Sequence, residues 1–217
     1  MNTYHHGNLQ NTLIQATLEL IGKKGVEAFT IREVARRAGV SHAAPYRHFK
    51  DKDTLLAAVA KEGFDTMVRH MRDRIAECPE DRLRQFQNCG IAYIEFAIRH
   101  PAHYRVMFGP AKSRSRETEA VRESAAAAFQ TLLDCIAACQ AAGLVRSGEL
   151  PDMALSAWSL VHGFAMLCID RYVTETRPNS RNLEGMMRVV TESLYVGLRP
   201  VAPSMKSETP TPPREGE

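Results

Sequence analysis

The sequence predicts an all-α fold of about nine helices, with a three-helix N-terminal domain followed by a larger helical domain. No segment has the strict alternation of a confident strand, and Pro and Gly divide the chain into helix-length pieces. The most informative piece is residues 30–49, TIREVARRAGVSHAAPYRHF, which has the pattern of two short helices joined by a glycine turn. The first observation determines the fold class, and the second points to DNA binding.

Residues 30–49 have the parts of a helix-turn-helix motif in the expected order. Thr30 can cap the first helix, and Glu33 lies where a capping-box partner belongs. Gly39 favours a helix end, and Ser41 can cap the next helix. The second helix carries four basic or aromatic side chains that we expect to be exposed: His42, Tyr46, Arg47 and His48. Such a helix enters the major groove, although an ordinary helical hairpin is the alternative. Pro45 predicts a short or tightened start for this helix.

The remaining helices follow from apolar periodicity and from the positions of Pro and Gly. A helix at 9–24 precedes the motif, and the later ones are expected at 51–78, 80–100, 101–108, 111–142, 151–176 and 182–198. We therefore predict a DNA-binding domain at 1–60 and a helical domain at 61–199. The tail at 200–217 is rich in Pro, Ser, Thr and Glu, and we expect it to be disordered.

Composition narrows the class of protein. Residues 1–60 carry eight Lys or Arg and five Asp or Glu, whereas the rest carries twenty of each sign, which fits a polyanion-binding domain beside a neutral one. No run approaches the roughly 18 apolar residues of a membrane span, and the N-terminus has no signal-peptide pattern. Five scattered cysteines indicate a reducing cytoplasm, and Cys135 with Cys139 has no partner at zinc-like spacing. We expect no cofactor and no metal.

The stretch from Tyr4 to Phe64 resembles the N-terminal domain of the TetR (tetracycline-repressor) family of transcription regulators. The match consists of an amphipathic first helix, the block TIREVARRAGVS, then Tyr46 to Phe49, and finally Asp51-Lys52 before Leu55-Leu56. The segment ALSAWSLVHGFAMLCIDRYV, residues 154–173, resembles a subgroup with a Trp-His-Gly signature. Here Val161 stands before His162 and Gly163.

The resemblance implies which residues contact DNA. Thr30, Tyr46, His48 and Lys52 would hold the phosphate backbone, since they offer hydroxyl, imidazole and ammonium donors. Four residues would face base edges: Arg32, His42, Ala43 and Ala44. Ser41 and Arg47 belong to the same surface. Double-stranded DNA is therefore the expected partner.

In this family the larger domain dimerises and usually binds a small effector between its helices. Aromatic and apolar residues with few polar groups would form such a pocket. The candidates are Tyr93, Phe96, His100, Tyr104, Met107, Phe108, Phe129, Trp158 and His162. Each of them has core packing as an alternative role. The expected dimer interface uses the last two helices, with Met166, Ile169, Tyr172, Met187, Val190, Leu194 and Leu198 as candidates.

The resulting hypothesis is a homodimeric repressor that an apolar or amphiphilic effector releases from a palindromic operator. The alternatives are a helical enzyme and a protein-interaction module. An enzyme needs a nucleophile with a base, a metal cluster or a phosphate-binding loop, and the sequence shows none of these patterns. We therefore expect no catalytic residues and no membrane partner.

Overall fold

The structure is a computed structural model that describes residues 6–109, 118–173 and 183–200. These residues form eight α-helices and one 3₁₀ helix, and no strand occurs among them, so the predicted all-α class is confirmed. The helices are α1 (His6–Lys24), α2 (Ile31–Arg37), the 3₁₀ helix (Pro45–Arg47), α3 (Lys52–Ala76), α4 (Arg82–Arg99), α5 (Pro101–Phe108), α6 (Glu119–Ala141), α7 (Leu150–Ile169) and α8 (Leu183–Leu198).

Two helix boundaries differ from the prediction. Helix α6 begins at Glu119 because Thr118 is extended and accepts a hydrogen bond from Val121 N, as an N-cap does. The predicted start at 111 lies outside the described residues, as does most of the predicted tail. Helix α7 ends at Ile169 instead of near 176, since Arg171 adopts a positive φ of 65°. A left-handed residue ends the helical hydrogen-bond pattern.

The N-terminal head consists of α1, α2, the 3₁₀ helix and the start of α3. Leu13, Phe29 and Val34 are buried at its centre, and Phe49 closes the core from the far side of the motif. Gly39 has a φ of 69°, which a glycine adopts without steric cost and which turns the chain out of α2. The head is thus a compact support for the exposed side of the motif.

Helix α3 joins this head to the helical body, and the predicted boundary at residue 60 falls inside it. One buried cluster runs through both parts of the chain. Helix α5 packs closely against α3 at Gly63, where an added Cβ would be only 2.5 Å from Met107 Sδ. Glu62 of α3 contacts Gln15 of α1 at 3.4 Å and His103 of α5 at 3.2 Å. Head and body therefore share packing and polar contacts.

The body packs α3, α4 and α6 around a common core, with α7 and α8 on the outside of α4. By length and composition α7 resembles a membrane span, since its mean hydropathy is 1.4, although only 28% of that stretch is buried. Helix α7 is thus more apolar than we expected from the sequence, in which no run approaches the roughly 18 apolar residues of a membrane span. Helix α7 also packs on α4, α6 and α8 and carries Asp152 and His162, as the helix of a globular core does.

Candidate DNA-binding surface and ligand cavity

The start of α2 has the predicted capping box. Glu33 N donates to Thr30 Oγ1 at 3.3 Å, and Thr30 N donates to Glu33 Oε2 at 2.9 Å. Lys24 Nζ adds a contact of 2.6 Å to Glu33, and this bond is the main reason that the pKa of the Glu33 carboxyl is lowered. Arg37 pairs with Glu19, so polar contacts tie both ends of α2 to α1.

Residues 41–47, the recognition segment, form a turn and a 3₁₀ helix in place of an α-helix, as Pro45 predicts. A backbone bond from Ala44 N to Ser41 O forms a turn, and the 3₁₀ helix follows it at 45–47. Pro45 is buried in the head. The N-cap is Ala44, without a side-chain capping bond, so the predicted cap at Ser41 is wrong. The proline's missing N–H favours this early i→i+3 geometry.

The predicted DNA-contacting residues lie on or beside this segment. Tyr46 is 53% exposed, which is unusual for a large aromatic side chain. The other exposed members are Thr30, Arg32, Ser41, His42, Ala43 and Arg47. Ala44, His48 and Lys52 are half-buried. Basic, hydroxyl and aromatic side chains are therefore exposed along the motif.

Two of these residues are already engaged in the head. The Thr30 hydroxyl is used by the capping box, so it positions α2 in the DNA-free protein. Lys52 Nζ donates to the Glu27 carbonyl at 2.8 Å and lies 4.3 Å from the centre of the Phe29 ring. Lys52 is also the first residue of α3, where Asp51 caps the helix through Thr54 N at 2.8 Å. Its ammonium is thus held at a defined place beside the motif.

An apolar cavity of about 210 Å³ lies in the body between α3, α4, α6 and α7. Of the nine predicted ligand-binding residues, Tyr93, Phe108, Phe129 and Trp158 line it. The lining also includes Phe64, Met67, Met71, Cys89, Gly90, Ala125, Ala128, Leu132 and Val161, which the sequence analysis did not select. Their helical spacing marks them as core, and nothing in the sequence distinguishes a core side chain at a void from one packed on all sides.

Tyr93 connects the cavity to a buried polar network. Trp158 Nε1 donates to Tyr93 Oη at 3.0 Å, and Tyr93 Oη lies 2.9 Å from Tyr104 Oη. His162 Nδ1 is 2.8 Å from Tyr93 Oη and 2.6 Å from Tyr104 Oη. Tyr104 and His162 therefore lie behind Tyr93 and not at the cavity wall.

The network is uncharged near neutral pH. Burial raises the pKa of Tyr93 to about 12 and raises the pKa of Tyr104 as well, with Tyr93 beside it adding to the effect. Burial lowers the pKa of His162, because an imidazolium loses its hydration there. Two neutral phenols and a neutral imidazole are therefore the state that a ligand meets.

Three predicted ligand-binding residues lie away from this cavity. Phe96 is on α4, as Tyr93 is, but it packs against His100 with ring centres 5.0 Å apart. Both residues border a second, polar cleft together with Arg69 and Arg99. Met107 packs at the α3–α5 contact and is fully buried. Phe96, His100 and Met107 therefore pack within the body and do not line the cavity.

The cysteines are all free thiols. Cys89 and Cys135 share a hydrogen bond across α4 and α6, which lowers the pKa of Cys135 and, with burial, raises that of Cys89. Cys139 donates to the Arg82 carbonyl at 3.3 Å. Within the described parts of the chain, no group of three His, Cys, Asp or Glu side chains is arranged to hold a metal ion.

The outer side of α7 and α8 exposes apolar side chains. On α7 these are Leu155, Leu160 and Leu167, and on α8 they are Leu183, Val189 and Val196. Two predicted interface residues, Met187 and Leu198, are instead buried against the body, so that part of the prediction is wrong. Val190 and Leu194 are half-buried and pack on the core. Val189 and Val196 face outward on the side of α8 opposite Met187.

An exposed helix-turn-helix on a helical body with an apolar cavity defines the class of helix-turn-helix regulatory proteins. Comparison with known families agrees with this. Residues 13–59 match the family described as bacterial regulatory proteins, tetR family, and residues 86–190 match a tetracyclin repressor-like C-terminal domain. The chain belongs to the TetR family of bacterial transcription regulators, which are not enzymes. The Trp-His-Gly subgroup stays a prediction.

Individual relatives share parts of the chain. It is 45% identical over 51 residues to the tetracycline repressor protein class A from transposon 1721 of Escherichia coli, which is 24% of each chain. It is 30% identical over 112 residues to the nucleoid occlusion factor SlmA of Aliivibrio fischeri, which is 51% of this chain and 57% of that one. The chain thus spans less than two thirds of either relative.

A solved structure matches over nearly the full length. It is a protein of unknown function from Rhodococcus sp. RHA1, with a TM-score of 0.78 and 27% sequence identity, and the match covers 92% of this chain and all of that one. A TetR family regulator from Marinobacter aquaeolei VT8 aligns with a TM-score of 0.68 at 15% identity over 88% of this chain and 95% of its own. The second likeness supports the fold alone.

Proposed function

We propose that the protein is a cytoplasmic, homodimeric repressor, which a small apolar or amphiphilic molecule releases from a palindromic operator. The observation that carries the proposal is the exposed Tyr46–Arg47 segment, linked by α3 to a body that contains an apolar cavity. The DNA surface, the dimer and the release each have separate support in the described contacts.

The DNA surface fits one end of the head. Tyr46, Arg47 and His42 project from a segment that the buried Pro45 and Phe49 hold in place. Arg32 lies exposed at the start of α2, beside this segment in the motif. An arginine can bind guanine O6 and N7 together, whereas a hydroxyl or an ammonium binds phosphate. We assign base reading to Arg32 and His42, and phosphate contacts to Tyr46, His48 and Lys52.

The dimer fits the outer side of α7 and α8. Leu155, Leu160 and Leu167 repeat along one side of α7, and Gly163 lies among them with no atom within 4 Å of an added Cβ. Exposed apolar residues around a small one allow two helices to approach closely. Two recognition segments related by a two-fold axis would meet successive major grooves about 34–36 Å apart.

The release uses α3 as the connection. Phe64, Met67 and Met71 of α3 line the cavity, and the same helix begins at Lys52 beside the recognition segment. Phe108, at the end of α5, also lines the cavity, and α5 contacts α1 of the head. An occupied cavity would favour another position of these helices, and a typical coupling of about 1–3 kcal/mol would change operator affinity roughly five- to 150-fold.

Selection and sequencing of the DNA bound by the purified protein would test the proposal. We expect a palindrome, and its affinity should fall steeply with salt because phosphate contacts release counterions. Arg32→Ala should relax the preference at particular base pairs at a cost of about 1–3 kcal/mol. Lys52→Ala should weaken all sequences about equally and lower the salt slope by about one unit.

Arg36→Ala is the matched control for these variants. Arg36 lies on α2, as Arg32 does, and its side chain is 76% exposed, with a distant contact of 4.0 Å to Glu33. Its removal should leave both affinity and sequence preference nearly unchanged. If Arg36→Ala abolished binding while Lys52→Ala did not affect it at low salt, the assigned DNA-facing side would be wrong.

A further inference from the structure

We infer that the cavity binds an uncharged, apolar molecule of the size of a substituted benzene ring, and that this molecule donates one hydrogen bond to Tyr93 Oη. The inference rests on the proposed function, because it names the chemical class of the effector. It follows from the volume of the cavity, from the residue types of its wall and from the direction of the hydrogen bonds behind Tyr93.

The volume limits the size of the ligand. The cavity measures about 210 Å³. A protein cavity of about 150 Å³ with an apolar wall stays dry and binds benzene. The larger volume here therefore suits one aromatic ring with a short alkyl substituent, which Phe108, Phe129 and Trp158 can contact edge-on or face-on.

The wall excludes charged ligands. None of the described residues that line the cavity is Lys, Arg, Asp, Glu or His. A carboxylate or an ammonium would lose its hydration without gaining an opposite charge, which costs far more than burial of an alkyl group gains. The part of a ligand that lies inside the cavity is therefore neutral.

The network behind Tyr93 leaves no phenol or indole hydrogen free for the cavity. With a proton on His162 Nε2, the Nδ1 atom accepts the shortest bond of the network, 2.6 Å from Tyr104 Oη. Tyr93 Oη donates to Tyr104, or directly to His162, and the indole N–H of Trp158 donates to Tyr93. Every phenol and indole hydrogen of this network then has an acceptor.

The other tautomer leaves a hydrogen without a partner. A proton on His162 Nδ1 would add a third hydrogen to the triangle that Tyr93, Tyr104 and His162 form. One phenol O–H would then point into the apolar cavity unpaired, which costs about 1–3 kcal/mol. Among the described residues, Arg74 Nε is the buried side-chain nitrogen or oxygen that has no hydrogen-bond partner, and it does not belong to this network.

A lone pair of Tyr93 Oη is therefore the polar feature of the wall. When Tyr93 accepts from Trp158 and donates to Tyr104, its second lone pair remains for a ligand. A ligand hydroxyl can use it. An ether, a carbonyl or a carboxylate finds only acceptors there and leaves its own oxygen unpaired.

The fluorescence of Trp158 provides a direct assay, since it is the single tryptophan of the chain and lines the cavity. The full-length protein, without DNA, is titrated with 4-propylphenol and with its isomer 4-ethylanisole, which has the same atoms but no O–H. We expect the phenol to bind about two- to tenfold more tightly, as one hydrogen bond with a neutral acceptor provides. The anion 3-phenylpropanoate should not bind.

Tyr93→Phe tests the assigned acceptor. The substitution removes the lone pair and leaves the Trp158 N–H available to an ether oxygen, so the preference for the phenol should disappear or reverse. Tyr195→Phe is the matched control, because it deletes the same hydroxyl on α8, away from the cavity wall. The control should retain the preference of the unchanged protein. Circular dichroism of each variant verifies that it is folded.

Several results would overturn the inference. Equal affinities for the two isomers in the unchanged protein, no saturable binding of the phenol, or a preference that survives in Tyr93→Phe would each contradict it. So would tighter binding of the carboxylate than of the phenol. Operator binding is measured separately on the same preparation. A protein that does not bind an operator would contradict the proposed function, whereas the ratio of affinities for the two isomers tests the ligand inference alone.

Discussion

Substitution of Gly163 by Leu separates the stability of the protomer from that of the dimer. Gly163 is an exposed residue within α7, and an added Cβ would meet no atom within 4 Å in the protomer. A leucine there has room and a better helix propensity. The protomer should therefore gain about 0.8 kcal/mol in its free energy of unfolding.

The dimer should respond in the opposite direction. Gly163 lies on the same side of α7 as Leu160 and Leu167, which are 40% and 49% exposed. If this side faces its two-fold mate, both protomers insert a leucine into the contact, and overpacking costs about 1–3 kcal/mol for each one. The total of about 2–6 kcal/mol would raise the dissociation constant by about 30-fold to about 20,000-fold.

Sedimentation velocity from nanomolar to micromolar concentration measures the dissociation constant, and urea unfolding of the separated protomer measures its stability. Gly22→Leu is the matched control, since Gly22 is an exposed glycine of α1 with nothing within 4 Å of an added Cβ. It should stabilise the head and leave the dimer intact. An unchanged dimer in Gly163→Leu would refute the placement of the interface on this side of α7.

Two further predictions concern stability. Thr30→Ala removes the capping box of α2 and should lower the free energy of unfolding by about 1 kcal/mol in urea titrations, whereas Thr30→Ser should retain most of it; equal losses would contradict the role of the hydroxyl. Burial lowers the pKa values of His100, His103 and His162, so the unfolded chain binds more protons than the folded one, and stability should fall as the pH drops below about 6.5. His162→Gln should flatten that slope, and an unchanged pH profile would argue against a neutral buried imidazole.

Local chemistry made the head predictable. The spacing of Thr30 and Glu33 indicates a capping box, and the structure contains it. Pro45 indicates a tightened turn, which appears as a 3₁₀ helix. Both features depend on residues within one or two helical turns. The sequence therefore contains nearly all the information that determines them, apart from the choice of Ala44 over Ser41 as N-cap.

Features that depend on long-range packing were less predictable. Helix α8 has apolar residues on two sides, so periodicity alone could not show that Met187 is buried while Val189 is exposed. The left-handed turn at Arg171 has neither Gly nor Pro to indicate it. Tyr93 and Phe96 are three residues apart on α4, yet only Tyr93 reaches the cavity, because the position of the void depends on where α3, α6 and α7 meet.

The close contact between α5 and α3 affects the construction of chimaeric regulators. An exchange of heads between two relatives has to cut within α3. A cut before Glu62 separates it from Gln15 of α1, whereas a cut after Gly63 separates Glu62 from His103 and Gly63 from Met107, both on α5. A graft that retains α5 with the head moves this contact as a unit. Signal transfer in such hybrids should therefore depend on the origin of α5 more than on the DNA-reading residues themselves.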